Sequence, residues 1–185
     1  VPDAPPPQGP PLLRTARNGI GVDDPVLFCG GVYDWYDPDA LLSAFGELLR
    51  RVPACRLVFV SSPNPATTPQ GAYARAQETA RARGWLGTSV VFVPWFPYEE
   101  RGSVYLEATA AVLTHRPGLE TDLSLRTRGL DFLWAGLPVV SQRGGAMGQL
   151  LAETGAGLLV DPEDGPGLVA ALEKALTDAS LRAEL

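Results

Sequence analysis

The chain has 185 residues, 45% of them hydrophobic, which suits one compact domain with a substantial core. Its net charge of −6 gives a summed field that repels nucleic acid and anionic membrane, so any anion must be met by a local cluster. No apolar run approaches the roughly 18 residues of a membrane span, and Cys29 and Cys55 have neither metal-ligand spacing nor a histidine partner. The two cysteines are therefore not expected to hold a metal, and a cytoplasmic domain is the default expectation.

Residues 1–24 are rich in proline, glycine and polar side chains and read as a linker or surface arm. PVLFCGG then forms a short apolar run closed by glycines, a buried strand from Pro25 to Cys29. In DPDALLSAFGELLRR the apolar residues Leu41, Leu42, Phe45, Leu48 and Leu49 fall at helical spacing. Asp37 is the expected N-cap, with Pro38 in the first turn. RLVFVSS, Arg56 to Ser61, is a second strand followed by a loop, SPNPATTPQG. Tyr73 to Arg83 reads as an exposed helix without a strong apolar stripe.

SVVFV is a third strand, YEERGSVYLEAT a short helix and AAVLTH a fourth strand. Ser124 to Ala135 reads as a helix ended by Gly136, and PVVS follows as the fifth strand. GGAMGQLLAE is a helix, GAGLLV the sixth strand, and PGLVAALEKAL the last helix. Strands alternating with helices predict βαβ units and a parallel sheet covered on both faces. The fold class is α/β, a doubly wound Rossmann-like sheet of about six strands, occupying residues 25–185. Ligands of such sheets bind beyond the carboxyl ends of the strands. This brings together five loops: Gly30–Asp37, Ser61–Gln70, Pro94–Tyr98, His115–Asp122 and Gln142–Gly145.

Polar chemistry concentrates in HRPGLETDLSLRTRGLDFLWAGLPVV, His115 to Val140, which holds the chain's one histidine. On a helix from Ser124, the residues Ser124, Thr127, Arg128, Asp131 and Ala135 share a face, while Leu130, Leu133 and Trp134 lie opposite. The stripe is either a solvated face with an Arg128–Asp131 ion pair or a binding surface. Arg126 and Arg128 near a helix N-terminus oppose its dipole, a cost that a bound anion would relieve. Asp131 suits hydrogen bonding to ribose hydroxyls. His115 is a structural or exposed histidine on its own context, and Glu120 a surface or capping acid.

The run LETDLSLRTRGLDFLWAGLPVV resembles the C-terminal domain of GT-B glycosyltransferases of the family-4 type. It looks like a bacterial subgroup with an E-T-x-x-S-x-R-T-R-x-x-D-x-L-W-A-G-L-P-V-V pattern. GGVYDWYDPDALLSAF, VPWFPYEERGSVYLEATAAVLTH and GGAMGQLLAETGAGLLVDPED are similar to other parts of that domain, so the resemblance covers roughly Pro25 to Leu176. It implies the half of a GT-B fold that binds a nucleotide diphosphate sugar. Such enzymes are retaining, need no metal, and transfer a sugar such as a hexose, as in cell-surface polysaccharide synthesis. The acceptor, a glycan or lipid-linked glycan, would bind an N-terminal domain absent here, and the opening VPDAPPPQGPP and closing LTDASLRAEL look like cuts from a longer protein. The full-length protein would be cytoplasmic, with peripheral attachment to the inner membrane as an option.

The broad family carries two glutamates separated by seven residues. Asp131 stands at the second position and Leu123 at the first, with Glu120 three residues earlier as the substitute. The family's lysine has no counterpart, since Lys174 lies far downstream, and Arg128 or Arg126 would supply the charge on the diphosphate. The resemblance implies Arg128, Glu120 and His115 as catalytic residues, His115 near the sugar. Gly30 and Gly31 would let the backbone approach the diphosphate, with Trp35 and Asp37 in the same loop. Trp95 and Tyr98 would hold the base, Arg126 and Asp131 would complete the donor site, and Gly144 and Gly145 would line the cleft. A degenerate, non-catalytic nucleotide-binding or assembly module is the rival reading. The loop GGVYDW lacks the G-x-G-x-x-G pattern, which argues against a dinucleotide dehydrogenase or an epimerase.

Overall fold

The structure is a computed structural model and describes residues 4–61 and 70–185. Strands β1 (Val26–Gly31), β2 (Arg56–Val60), β3 (Val90–Val93), β4 (Ala110–Leu113), β5 (Val139–Gln142) and β6 (Gly157–Val160) form one sheet. Its order is β3-β2-β1-β4-β5-β6 and every pairing is parallel. This is the expected doubly wound arrangement, and the chain reverses its winding between β1 and β4. Most of the Ser61–Gln70 loop lies outside the described residues.

Alternation along each strand divides the core between the two faces. Leu27, Cys29, Leu57, Phe59, Ala110, Val112 and Val140 face one side. There they meet α1 (Pro38–Arg51), α2 (Gly71–Ala82) and α7 (Gly165–Thr177). Val26, Phe28, Val58, Val60, Ala111, Leu113 and Val139 face the other. They meet α3 (Arg101–Leu106), α5 (Thr127–Trp134) and α6 (Gly145–Thr154). On this second face Phe28, Tyr105 and Phe132 pack edge to face, with centroids 5.3–6.0 Å apart.

Local chemistry accounts for most element ends. Asp37 Oδ1 accepts the Ala40 N–H at 3.0 Å and Pro38 opens α1, as its sequence predicts. After α5, Gly136 takes a φ of +63° and the Leu137 N–H bonds the Phe132 carbonyl, a left-handed helix stop. Two elements differ from expectation. The helix expected from Ser124 begins only at Thr127, because Ser124 is extended and closes a separate short helix, α4 (Leu119–Leu123). And α2, expected to be exposed, buries Ala72, Ala76 and Ala80 completely, a stripe of small side chains that lets the helix sit close to the sheet. A last helix, α8 (Ala179–Glu184), follows α7.

Residues 4–24 are irregular but packed. Leu13 and Ile20 are buried in the second core face. The Glu107 carboxylate accepts the backbone N–H groups of Leu12, Leu13 and Arg14 at 2.6–3.1 Å. Arg14 donates in turn to the carbonyls of Gly21 and Asp24. Among the described residues no helix is long and apolar enough to cross a membrane.

Candidate functional site

The β1 exit and the first turn of α5 meet at the switch point. Gly30 has a φ of +83°, a conformation that favours glycine, and a side chain there would point at Arg128. A Cβ on Gly30 would lie 3.1 Å from Arg128 Nη1, and one on Gly31 would lie 3.3 Å from Nη2. The two glycines thus make room for the Arg128 side chain, which fills the space over the strand exit. Arg128 Nη1 donates to the carbonyls of Cys29 at 3.2 Å and Gly31 at 2.9 Å. Its guanidinium carbon lies 5.3 Å from the Tyr36 ring centre.

Arg128 has no carboxylate within 4 Å among the described residues, and the Arg128–Asp131 ion pair that their spacing allows is not formed. Asp131 pairs instead with Arg101 across α3 and α5, at 3.4 Å. Arg101 is only 8% exposed. It sits between aromatic rings, 3.6 Å from the Tyr98 centroid and 4.7 Å from that of Trp134, and donates to the Tyr98 carbonyl at 3.0 Å. Sequence reading missed Arg101, although its i,i+3 spacing from Tyr98 is a usable signal.

Arg126 is the N-cap residue of α5, outside the helix. It grips both oxygens of Glu120, each at 2.7 Å, and also donates to Thr121 Oγ1. Ser124 Oγ adds a bond to the same carboxylate at 2.9 Å. The bond from Arg126 holds the Glu120 carboxyl below its usual pKa range. This clamp folds residues 120–126 back on themselves, and it explains why α5 starts late.

These residues line two adjoining recesses. The larger, about 730 Å³, is lined by Tyr33, Trp35 and Tyr36 from the loop after β1 and by Glu120, Ser124, Arg126, Thr127 and Arg128 from the segment that runs from α4 into α5. The smaller, about 230 Å³, is lined by Gly30, Gly31, Ser61, Trp95, Phe96, Tyr98 and Arg101 among others. Arg128, Asp131, Tyr33 and Tyr105 border both. Trp95 and Tyr98 are largely exposed there, and the Trp95 N–H is held by Ser61 Oγ at 2.9 Å. Of the residues singled out from sequence, Glu120, Arg126, Arg128 and Asp131 meet at the larger recess, and Gly30, Gly31, Trp95 and Tyr98 at the smaller.

His115 stands apart. It is 5% exposed, its backbone bridges to Tyr36, and its ring packs 4.5 Å from the Tyr36 ring. The His115 N–H donates to Gln142 Oε1 at 2.7 Å. With Arg126 and Gly144 it lines a separate cavity of about 60 Å³ behind the cleft. Burial, with the Arg126 charge behind it, pulls its pKa down to about 3, so the ring is neutral. The Gln142–Gly145 loop borders this inner cavity, and its Gly145 packs against the Thr121 backbone of α4. Among the described residues no group of three or more His, Cys, Asp or Glu side chains could hold a metal ion.

An arginine-rich cleft at the switch point of a 3-2-1-4-5-6 sheet marks a doubly wound Rossmann-like domain. The family model for glycosyl transferases group 1 matches residues 23–178, and the chain belongs to that family. It is 30% identical over 184 residues to D-inositol 3-phosphate glycosyltransferase of Frankia alni. That match covers 96% of the chain but 43% of the relative's length. The fold is similar to the C-terminal domain of LpcC, a glycosyl transferase group 1 family protein of Francisella tularensis, with a TM-score of 0.68 and 16% identity over 96% of this chain and 87% of that one. It is also similar to part of a UDP-forming trehalose-phosphate synthase of Burkholderia xenovorans, with a TM-score of 0.72 and 16% identity over 93% of this chain and 42% of that one. The fold is therefore that of the C-terminal half of GT-B glycosyltransferases, as the sequence resemblance implies.

Proposed function

We propose that this chain is the donor half of a retaining, metal-independent glycosyltransferase that takes a hexose from a nucleotide diphosphate sugar. The observation that carries the reading is charge accounting at the switch point. Arg126 is neutralised by Glu120 and Arg101 by Asp131, which leaves Arg128 as an unpaired cation beside the N-terminus of α5 in a chain of net charge −6. An unneutralised guanidinium at a helix N-terminus is a complement to diphosphate.

In this reading the base lies in the smaller recess against Trp95 and Tyr98, and the ribose hydroxyls meet the Asp131 oxygen that Arg101 leaves free. The diphosphate lies on Arg128 and the sugar projects into the larger recess. As the bond from the anomeric carbon to the diphosphate breaks, charge grows on the leaving phosphate, and Arg128 stabilises it. The acceptor hydroxyl, from a glycan or lipid-linked glycan on an N-terminal half, would attack from the leaving-group face, its oxygen bonding the anomeric carbon as its proton passes to the departing phosphate, which retains configuration without a protein nucleophile. Glu120 serves by holding Arg126 rather than by acting on protons, and His115 supports the wall from behind.

One observation favours a second reading, a non-catalytic nucleotide-binding member of the family. Leu123, at the position of the family's first glutamate, is exposed and apolar, and Glu120 is occupied by Arg126. Calorimetric titration of the chain with UDP, GDP, dTDP and ADP in the presence of EDTA tests the donor reading. Binding of one diphosphate, unchanged by the chelator, supports it. Silence from all four with this chain and with a full-length protein overturns it.

A further inference from the structure

The larger recess is lined by two unlike sets of side chains. Tyr33 and Trp35 stack face to face, with centroids 4.9 Å apart and planes within 10°. Tyr36 leans on both at 5.9 and 6.5 Å. Trp35 remains 40% exposed. The same recess is lined by Glu120, Ser124, Arg126 and Arg128, a set of donors and acceptors. The Asp37 cap and the bond from the Arg116 N–H to the Trp35 carbonyl at 3.2 Å pin the loop that carries the aromatic rings.

A pyranose ring has this same division, an apolar face of C–H groups and a rim of hydroxyls. We infer that the Tyr33–Trp35 stack is a platform for a hexopyranose ring, with the polar side chains that share the recess reading its hydroxyls. The inference rests on the donor reading above and deepens it, because it gives the larger recess to the sugar and makes Trp35 a specificity-determining residue. A planar base would use a platform too, but it would leave those polar groups largely unused. The smaller recess, with Trp95 and Tyr98, is the better fit for a base. A rigid stacked pair loses little conformational freedom on binding, so its contact area converts efficiently into affinity.

The test compares nucleoside diphosphates with their hexopyranosyl conjugates by calorimetry, on wild type, Trp35→Ala and Trp35→Phe. The wild type is expected to bind the matching conjugate more tightly than the bare diphosphate. Trp35→Ala is expected to bind the diphosphate as wild type does but to lose the increment from the sugar, roughly tenfold, and Trp35→Phe to recover most of it. Equal affinity of wild type for conjugate and diphosphate overturns the platform, and so does a full sugar increment in Trp35→Ala. Both of those results leave the donor reading standing. No binding of any diphosphate, by this chain or by a full-length protein, overturns the donor reading, and the platform with it.

Discussion

Arg128 and Gly31 are joined across the switch point: Arg128 Nη1 donates to the Gly31 carbonyl at 2.9 Å. The bond ties the first turn of α5 to the end of β1, and only a strand exit without side chains admits it. The two glycines thereby acquire different predicted sensitivities. Gly30→Ala would force a β-carbon into a φ of +83° and against Nη1, at a cost of about 1–2 kcal/mol before any repacking. Gly31 has no such φ, so Gly31→Ala should lower the unfolding midpoint less while still displacing Nη2. Thermal denaturation of the two variants side by side checks the order, and equal midpoints would refute it.

Arg101 holds Asp131 from a site that is almost closed to solvent. Removing it strands a carboxylate that is itself mostly buried, and Arg101→Met should cost about 2 kcal/mol or more. The double variant with Asp131→Asn should cost less than the sum of the single changes, because the stranded charge is gone. Chemical denaturation of the four-member cycle measures the coupling, and strict additivity would show that the pair is not energetically linked.

His115 should mark the acid limb of stability. Its folded pKa of about 3 lies below the ordinary value of 6.5, so between those values the unfolded chain binds the extra proton. The stabilising contribution is complete above about pH 6.5 and is lost as pH falls toward 3, with a slope of up to about 1.4 kcal/mol per pH unit. Glu120, held low by Arg126, also loses its contribution in acid. Comparison with His115→Gln isolates the histidine: that variant should show a shallower slope across pH 6.5 to 4. An unchanged slope would mean that the ring takes up its proton as readily in the folded state as in the unfolded one.

The arm at residues 4–24 should prove part of the domain's stability. Glu107→Ala leaves three successive N–H groups without their acceptor and loosens Leu13 from the core. A loss of about 2 kcal/mol is expected, with faster hydrogen exchange at Leu12, Leu13 and Arg14 than in wild type. Protection at those amides equal to wild type would show that the arm is held by other contacts.

The sheet was legible because short apolar runs closed by turn residues and separated by helical spacing admit few other folds. Asp37 and Gly136 were legible as caps because their chemistry is local. What escaped depends on partners distant in sequence. Nothing near Arg101 names Asp131, thirty residues on, as its partner. The spacing rule offered Arg128 instead, which the fold spends on strand carbonyls 97 and 99 residues away. Glu107 gives no hint that it will gather the arm. The late start of α5 follows from the Arg126–Glu120 clamp, which competes with helix formation at Ser124 and Leu125. The stripe Ala72, Ala76, Ala80 was overlooked because small side chains carry little hydrophobic signal, yet they pack most closely.

At the centre of the proposal, Arg128, which has no carboxylate partner among the described residues, receives a diphosphate. The most direct measurement is calorimetric titration of Arg128→Ala with whichever nucleoside diphosphate the wild type binds, with circular dichroism to establish that both are folded. Affinity is predicted to fall roughly ten- to hundredfold, the worth of a charge-assisted hydrogen bond to phosphate, with Arg128→Lys recovering only part of it because an ammonium cannot reproduce the guanidinium fork. A folded Arg128→Ala variant that binds the diphosphate as tightly as wild type would contradict the account.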